Sequence, residues 1–303
     1  GTEEWRNNYG GSLTNIGEEI QQTTDGGYII IGNSITVSNK VDFYLLKIDS
    51  QGNKVWSKTF GGEKVDQGRS VKQTFDGGFI IVGSTESYGN GRTDVWLIKT
   101  DSEGKEEWNK TFGGVESDDG YSVQERTNGG YIITGSTKSY SQDGSHDVWL
   151  IRTDPKGEVH WKNTFGGTGY DVGHDVQQTT DEGFIISGVT KRFGEDYYLI
   201  KTGVNGNEMW SKSYGNTGND IGRSVQQTLD GGFILTGTWT DDRCRIYKVD
   251  SQGNEIWWTT FNSSGGYSIQ QTLDGGYIMT GNKSTDSGDY LWLLKTDSKG
   301  NTR

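Results

Sequence analysis

The sequence predicts an all-β chain that forms a six-bladed β-propeller with four antiparallel strands in each blade. One motif recurs throughout the 303 residues, 48 of which are glycine, and 12% of the residues are aromatic. Six copies of about 50 residues are typical of propeller blades, whereas the repeats of a β-solenoid are usually shorter. Glycine at this frequency disfavours long helices. A total of 11 Trp and 15 Tyr disfavours a disordered chain.

Two signatures mark every copy of the repeat. A tryptophan recurs at Trp5, Trp56, Trp108, Trp161, Trp210 and Trp257. An Asp-Gly-Gly signature recurs at Asp25, Asp76, Asn128 (as Asn-Gly-Gly), Asp181 (as Asp-Glu-Gly), Asp230 and Asp274. The copies span about 1–53, 54–105, 106–158, 159–207, 208–254 and 255–301. We therefore expect a single domain over residues 1–303, without a linker.

Each copy divides into four short strands, which are clearest in the second copy. They are Ser70–Thr74, Phe79–Ser84, Asp94–Asp101 and Val55–Phe60, and they are rich in β-branched and aromatic residues. The segment Val95–Ile98 is apolar without alternation. Such a segment is expected where neighbouring blades bury both faces of a strand.

The turns between these strands have residues suited to their backbone. In Asp76-Gly77-Gly78, the aspartate can bond its own backbone, and glycine accepts a positive φ. In the turn that starts at Asp101, Gly104 takes the left-handed position. The third copy places Pro155, the chain's one proline, at the second position of this turn, where its fixed φ fits.

The two ends of the chain predict how the ring closes. The last copy stops after the turn that elsewhere leads into the tryptophan strand, and residues 3–11 match that strand. We expect this N-terminal segment to supply the outer strand of the sixth blade. An unclosed ring would leave an exposed strand edge.

The repeat resembles those of secreted and cell-surface β-propeller proteins of bacteria and archaea, and more loosely kelch-type and seven-bladed repeats. The residues that carry the resemblance are the Trp, Gly-Gly, Asp-Gly-Gly and Val-Trp-Leu-Ile-Lys-Thr-Asp segments, as in Val95–Asp101. The resemblance implies an extracytoplasmic protein that serves as a binding or scaffold module. It implies no catalytic residue, because the shared residues form turns and strands.

Charge and motif content narrow the function. The net charge of -12 disfavours nucleic acid as a partner. The sequence has no run of 18 apolar residues, so we expect no segment that spans a membrane. Lone Cys244 is expected to be a buried, inert thiol. The sequence contains no zinc, HExxH, G-x-S-x-G or phosphate-loop motif, so we expect no metal and no cofactor. Paired carboxylates for glycan processing remain the alternative to a non-catalytic binding protein.

Length variation places the expected ligand at one end of the blades. The Asp-Gly-Gly and Asp-Ser-x-Gly turns are nearly constant, whereas the loops between the second and third strands differ from copy to copy. These loops are 33–41, 137–146, 189–195 and 238–242. We expect a protein or glycan ligand at this variable end, because binding residues concentrate on loops held by a rigid scaffold. The alternative is that the loops vary because nothing constrains them.

A repeated polar position opens the innermost strand of each blade. It holds Asn15, Asp66, Asp118, Asp171, Asp220 and Ser264. We expect each side chain to bond the backbone amide two residues on, as in an Asx turn. A cation site is the alternative, because carboxylates and carbonyls suit Ca²⁺.

Three residues further on, the innermost strand carries a position that does not repeat. It holds Glu18, Arg69, Tyr121, His174, Arg223 and Tyr267, which we expect to line the central channel. Six different chemistries at one repeat position suggest a ligand or a water-filled channel. A solvated wall is the alternative.

The fifth copy departs most from the repeat. Arg243 and Arg245 replace the usual Asp and aromatic residue at the start of the third strand, and Trp239 precedes them. Arg192 lies in the matching loop of the fourth copy. We expect these four residues to bind an acidic ligand, because guanidinium groups grip carboxylate or sulfate with two hydrogen bonds. The alternative is that the arginines pair with Asp241 and Asp242.

Overall fold

The structure, a computed structural model, describes residues 3–10, 14–36, 40–191, 195–215, 218–240, 243–285 and 288–302, apart from the side chains of Thr285 and Asp289. It confirms an all-β chain whose strands form six antiparallel sheets, the blades of a six-bladed β-propeller. Five blades have four strands, and the described part of the sixth has three. Among the described residues, no helix is long and apolar enough to span a bilayer.

The strands follow one another through the blades in chain order. Blade one contains β1 (Thr14–Gln22), β2 (Tyr28–Ile35), β3 (Val41–Ile48) and β4 (Lys54–Phe60). Blade two contains β5 (Asp66–Gln73), β6 (Phe79–Thr85), β7 (Asp94–Thr100) and β8 (Glu106–Phe112). Blade three contains β9 (Asp118–Glu125), β10 (Tyr131–Thr137), β11 (Asp147–Thr153) and β12 (Val159–Phe165).

The second half of the chain repeats this order. Blade four contains β13 (Val172–Gln178), β14 (Phe184–Thr190), β15 (Asp196–Thr202) and β16 (Glu208–Tyr214). Blade five contains β17 (Ile221–Gln227), β18 (Phe233–Trp239), β19 (Arg243–Val249) and β20 (Glu255–Phe261). Blade six contains β21 (Gly265–Gln271), β22 (Tyr277–Thr285) and β23 (Gly288–Thr296).

Two compact units make up the chain. The first consists of residues 1–140 and 151–160 and includes blades one and two. The second consists of residues 141–150 and 161–303 and includes blades four to six. In the first unit, the facing sides of blades one and two share one hydrophobic core, which includes Ile29, Ile31, Phe43, Val71, Phe79 and Trp96. A corresponding core between blades four and five includes Tyr197, Leu199, Tyr214, Phe233 and Trp239.

Burial of the middle strands confirms that both of their faces are covered. All seven residues of β6 and all seven of β7 are buried. The outer strand β8 has exposed and half-buried residues. The apolar run without alternation therefore marks strands that lie between two neighbouring blades.

The boundaries of the sequence copies differ from those of the blades. Lys54–Phe60 hydrogen-bonds with β3 and is therefore the outer strand of blade one, not part of blade two. The outer strand of blade two is Glu106–Phe112, which pairs with β7. The short Asp-Ser-x-Gly turn explains the difference, because it folds the tryptophan strand back onto the strand that precedes it.

The predicted turn geometry is confirmed. Gly77 has a φ of 85°, and the Gly78 amide donates to Asp76 at 2.9 Å. Gly157, which ends the turn that contains Pro155, has a φ of 79°. These glycines are required because other residues rarely adopt a positive φ.

Residues 3–10 lie against blade one within the first unit. The Trp5 indole nitrogen donates to the Ser50 carbonyl at 3.2 Å, and a Cβ at Gly52 would meet the Trp5 ring at 2.6 Å. Trp56 of blade one has the same relation to Gly104 of blade two. The N-terminal segment therefore has the position that the outer strand of a preceding blade would have.

The last strand of the second unit has an uncovered face. Leu291 and Leu293 of β23 are 86% and 63% exposed, whereas the equivalent Val95 and Leu97 of β7 are fully buried. A blade described with three strands has the feature expected of a blade that lacks its outer strand, whereas the exposed leucines lie on a face of β23 and not at its edge. That the N-terminal segment supplies this strand stays a prediction.

Candidate functional site

Buried aspartates hold the variable end of the blades together. Asp66 accepts hydrogen bonds from the Gly62 amide at 2.7 Å and from the Ser87 hydroxyl at 2.7 Å. Its second oxygen accepts from the Thr85 hydroxyl. The same contacts recur around Asp118, with Gly114, Ser139 and Thr137. Each carboxylate thus ties the blade-linking loop to the loop between the second and third strands.

For Asp66, the expected Asx turn is wrong in its geometry. The amide two residues on belongs to Gly68, and it donates to Asn33 at 2.9 Å instead. Asp66 is paired with Thr85 in the strand register, which brings the carboxylate to the loop hydroxyls. The hydrogen bonds of this aspartate are made with the chain's own groups, but with different ones from those predicted.

The remaining members of this repeat position differ in their partners. Asp171 accepts from the Gly167 amide at 3.0 Å. Asp220 accepts from the Thr240 amide at 2.6 Å and from its hydroxyl at 2.8 Å. The Ser264 hydroxyl accepts from the Ser284 amide at 2.8 Å, so it replaces a carboxylate oxygen. Asn15 lies beside Gly10, where a Cβ would be 2.6 Å from its side-chain nitrogen.

A second carboxylate lies beside three of these aspartates, and sequence analysis did not recognise the pairing. A Cβ at Gly166 would lie 2.5 Å from an oxygen of Asp147 and 2.5 Å from an oxygen of Asp171. Gly113 is placed in the same way between Asp94 and Asp118, and Gly215 between Asp196 and Asp220. A constant spacing of 24 residues within each pair is the signal that could have revealed them.

Burial makes these second carboxyls weak acids. It raises the pKa of Asp147 to about 6, and the negative charges of Asp171 and Asp143 add to the effect. Burial likewise raises the pKa of Asp94 and of Asp196, each beside a second carboxylate. One oxygen of Asp147 and one of Asp171 are buried without a hydrogen-bond partner in the described part of the chain. In the described residues, no cluster of three or more His, Cys, Asp or Glu side chains could hold a metal ion.

The residues predicted to line the channel share a backbone feature. Each is the extra residue of a β-bulge in the innermost strand, as Arg69 is between the paired Gly68 and Ser70. The same bulge occurs at Glu18, Tyr121, His174, Arg223 and Tyr267. A bulge redirects its side chain out of the regular alternation and often lies next to a functional site. That these side chains line a channel stays a prediction.

Neighbouring bulge residues contact one another within each unit. In the first unit, Arg69 lies 4.0 Å from Glu18 and 5.4 Å from the centre of the Tyr121 ring. In the second unit, Arg223 lies 5.5 Å from the centre of the Tyr267 ring. The His174 ring nitrogen Nδ1 is 2.8 Å from the Gly222 carbonyl oxygen. Some of the six side chains at this repeat position therefore interact with their neighbours as cation–carboxylate and cation–π pairs.

The structure brings together two of the four residues predicted to bind an acidic ligand. The Arg245 guanidinium carbon lies 3.2 Å from the centre of the Trp239 ring. Its nitrogens donate to the Thr260 hydroxyl at 3.0 Å and to the Tyr247 hydroxyl at 3.2 Å. Arg243 is exposed, and its strand partner is Trp239. Arg192 lies outside the described residues, as do Asp241 and Asp242.

Trp239 lies beneath this cluster, and the face of its ring is not exposed to solvent. The sequence had led us to expect that Trp239 contacts the ligand. Its side chain is 4% exposed and packs in the core with Tyr197 and Tyr247. The shortened loop explains this, because Trp239 is still part of β18. Cys244 between the two arginines is fully buried, which confirms the predicted burial, and burial raises its pKa to about 11.

Trp258 completes the cluster and was not predicted from the sequence. The Arg245 guanidinium lies 4.2 Å from the centre of its ring, and half of Trp258 is exposed. In blade three, the cation and the aromatic ring exchange positions. Lys162, which is equivalent to Trp258, lies 5.6 Å from the centre of the ring of Trp149, which is equivalent to Arg245. The signal was the second tryptophan in Trp257-Trp258, where the other copies have a polar residue.

Comparison with known proteins supports the fold but assigns no family, since no family model matches. Over 152 residues, the chain is 26% identical to the regulatory protein FlaEY of Caulobacter vibrioides. The match covers 46% of this chain, which spans only 15% of that relative.

Solved structures give broader matches at low identity. A protein of unknown function from Dyadobacter fermentans aligns with a TM-score of 0.61 and 10% identity, over 91% of this chain and 93% of the other. The Neurospora crassa Pan2 WD40 domain aligns with a TM-score of 0.61 and 9% identity, over 93% and 75%. The periplasmic gluconolactonase PpgL of Pseudomonas aeruginosa aligns with a TM-score of 0.61 and 11% identity, over 91% and 80%. At these identities the likeness concerns the fold alone.

Proposed function

We propose that this chain is a non-catalytic, extracytoplasmic binding propeller that holds an acidic glycan or an acidic peptide segment at the variable end of blade five. The observation that carries the proposal is the arginine pair there. Arg243 and Arg245 lie two residues apart on β19, so both side chains leave the same face of the strand. Two cationic side chains on one strand face suit a ligand with neighbouring carboxylate or sulfate groups.

The aromatic residues give this site a fixed shape. Trp239 and Trp258 contact the Arg245 guanidinium, while Thr260 and Tyr247 accept hydrogen bonds from it. A guanidinium oriented in this way loses less conformational entropy when it binds an anion. The exposed part of Trp258 adds an apolar surface beside the charge. Trp239 acts here as a positioning residue beneath Arg245.

The net charge of the chain is negative, so a cluster of arginines is unusual on it. With a net charge of -12, the chain repels acidic polymers at long range, so binding one requires a local group of arginines. The same charge disfavours nucleic acid, and we propose neither nucleic-acid binding nor membrane insertion. The extracytoplasmic location agrees with the periplasmic location of the gluconolactonase that shares the fold.

Binding to polygalacturonate, a sulfated glycan and neutral dextran tests the proposal by calorimetry. We expect the wild-type protein to bind an acidic polymer and not dextran. The Arg243→Ala variant should lose about tenfold in affinity, as expected for one charge-assisted contact. Arg92→Ala is the matched control, because Arg92 is an exposed arginine in the variable loop of blade two. Wild-type protein that binds neither acidic polymer, or equal binding by both variants, would disprove the site.

A glycan-processing enzyme is the second candidate, favoured by the pKa of about 6 for Asp147 beside Asp171. Glycoside hydrolysis needs one protonated and one ionised carboxyl. Asp147 is 6% exposed and Asp171 fully buried, so a glycan has no access to them in this arrangement, and we prefer the binding function. Polysaccharide cleavage or lactone hydrolysis that is lost in Asp147→Asn and kept in Arg243→Ala would replace our proposal with the enzyme.

A further inference from the structure

Two trios of bulge residues on the innermost strands follow the same plan, one in each unit. In the first unit, the Arg69 guanidinium lies 5.4 Å from the centre of the Tyr121 ring and 4.0 Å from the Glu18 carboxylate. The equivalent residues of the second unit, which form the second trio, are His174, Arg223 and Tyr267. There the arginine lies 5.5 Å from the centre of the tyrosine ring, almost the same distance. The second trio therefore keeps the cation and the aromatic ring but has histidine in place of the carboxylate.

Arg69 has two polar partners in the first unit. Besides the Glu18 carboxylate, the Gln67 side-chain oxygen accepts a hydrogen bond from its guanidinium at 2.9 Å. The residues at the positions of Glu18 and Gln67 in the second unit are His174 and Ile221. Isoleucine has no polar side-chain atom, and histidine carries no negative charge in either of its protonation states. Neither position therefore brings an anion to Arg223.

Arg223 has a donor group that the fold leaves without an acceptor. Its Nε is buried and has no hydrogen-bond partner in the described part of the chain. The His174 ring nitrogen Nδ1 lies 2.8 Å from the Gly222 carbonyl oxygen and donates to it, because a carbonyl only accepts. The carboxylate that follows in sequence, that of Asp175, accepts from the Val225 amide at 3.0 Å. Because buried polar groups nearly always have a partner, the Arg223 Nε calls for a further acceptor.

We propose that the second trio binds a small organic carboxylate, which takes the part that the Glu18 side chain plays in the first unit. The Nε–H and one terminal N–H lie on the same edge of a guanidinium and match the two oxygens of one carboxylate. Tyr267 is 48% exposed, and the Glu18 side chain is 29% exposed, so solvent reaches both trios. The second trio belongs to the innermost strands of the second unit, so this site is separate from the arginine pair on β19.

A titration with sodium acetate, followed by proton–nitrogen correlation NMR of the arginine Nε–H groups, tests the proposal. Sodium chloride and sodium phosphate at equal ionic strength are the comparison arms, and the signals lost in Arg223→Lys and Arg69→Lys variants assign the two resonances. We expect the Arg223 signal to shift saturably with acetate and not with chloride, because its Nε–H gains a charged acceptor. The Arg69 signal is the internal control and should not shift saturably, since that guanidinium already has Glu18 beside it.

Two exchanges between the trios sharpen the test. His174→Glu supplies the carboxylate of the first trio and should abolish the acetate shift at Arg223. Glu18→Gln removes the charge from the first trio and should create a saturable acetate shift at Arg69. The glutamine oxygen can still accept from Asn33, which donates to Glu18 at 3.0 Å, so this variant keeps the local hydrogen bond. If His174→Glu does not fold, the Glu18→Gln variant decides.

Arg243 and Arg245 give their own signals in the same spectrum, so acetate bound on blade five is distinguished from acetate bound at Arg223. An Arg223 shift no larger with acetate than with chloride, or a full shift in a folded His174→Glu protein, would overturn the proposal. So would an Arg69 signal that stays insensitive to acetate in Glu18→Gln. A shift with phosphate that equals the shift with acetate would rule out selectivity for a carboxylate.

Discussion

The guanidinium of Arg245 lies over the indole of Trp239, with 3.2 Å between the guanidinium carbon and the ring centre. Its charge also contacts Trp258, 4.2 Å from that ring centre. A planar guanidinium stacks on indoles and donates hydrogen bonds at its edge, whereas an ammonium cannot do both. Arg245 is therefore held by the fold as well as available to a ligand at its edge.

Replacing Arg245 by lysine should cost about 1 kcal/mol in the free energy of unfolding, because it removes the stacking and the bond to Thr260. Urea denaturation of both proteins gives this difference. Arg243→Lys is the control, and it should change stability by less than about 0.5 kcal/mol, as exposed substitutions usually do. Equal losses in the two variants would show that the stacking contributes nothing.

Glu182 carries local strain that glycine would relieve. It has a φ of 63° in the Asp181-Glu182-Gly183 turn, where the equivalent Gly77 has 85°. Glu182→Gly should raise stability by about 1 kcal/mol, since a side chain is unfavourable in this conformation. Gly77→Ala should do the reverse, because a Cβ there meets no atom within 4 Å and only the backbone is strained. Calorimetric Tm values that fail to move in opposite directions would contradict this.

Most of the fold followed from the sequence because repetition exposes it. The tryptophan and Asp-Gly-Gly signatures fixed the number of blades, and the glycine at each turn confirmed where strands end. It was harder to predict which four strands belong to the same blade. Lys54–Phe60 pairs with the strand before it, and a repeat alone does not say to which neighbour a strand belongs.

The candidate site was predictable only in part, because its members are distant in sequence. Arg245 and Trp239 lie close along the chain and were predicted together, whereas Trp258 comes from the next strand, 13 residues later. The depth of Trp239 was also missed, since burial depends on the neighbouring blade. Asp147 and Asp171 carried a signal in their spacing, but their charge interaction depends on the burial of both carboxyls in the folded chain.

Removing residues 1–9 should lower Tm. Within the first unit, it removes the Trp5 ring from Gly52 and from Tyr28, whose ring centre is 6.2 Å from that of Trp5. If the same residues complete the last blade, the unpaired edge of β23 should also make the truncated chain prone to aggregate. Differential scanning calorimetry and light scattering measure the two effects. A chain that lacks only residues 1–2 is the control, and an unchanged Tm after the longer deletion would argue against closure.

Calcium should leave Tm unchanged. Both oxygens of Asp66 already accept hydrogen bonds, as do both oxygens of Asp118. Asp66→Asn should cost about 1–3 kcal/mol with or without calcium, because it introduces a donor next to the Gly62 amide and the Ser87 hydroxyl. A calcium titration followed by calorimetry checks this. A rise of several degrees that disappears in an Asp66→Asn, Asp118→Asn double variant would establish a metal site.

The buried carboxyl of Asp147 should make stability depend on pH in a direction opposite to that of most aspartates. Its pKa is about 6 in the folded chain, against an ordinary value of 3.8. The native state therefore holds the proton more tightly, and the resulting stabilisation is fully present below pH 3.8 and is lost as the pH rises through about 6. Asparagine cannot ionise, so Asp147→Asn should be more stable than wild type at neutral pH, by on the order of 1 kcal/mol, with the difference shrinking as the pH falls below 3.8.

Asp49 is the control, because hydrogen bonds from Asn53 lower its pKa. Asp49→Asn should therefore lose stability at neutral pH and not at low pH. Urea denaturation across this pH range measures both variants, and an Asp147→Asn variant that is equally destabilised at every pH would show that lost hydrogen bonding outweighs the buried charge.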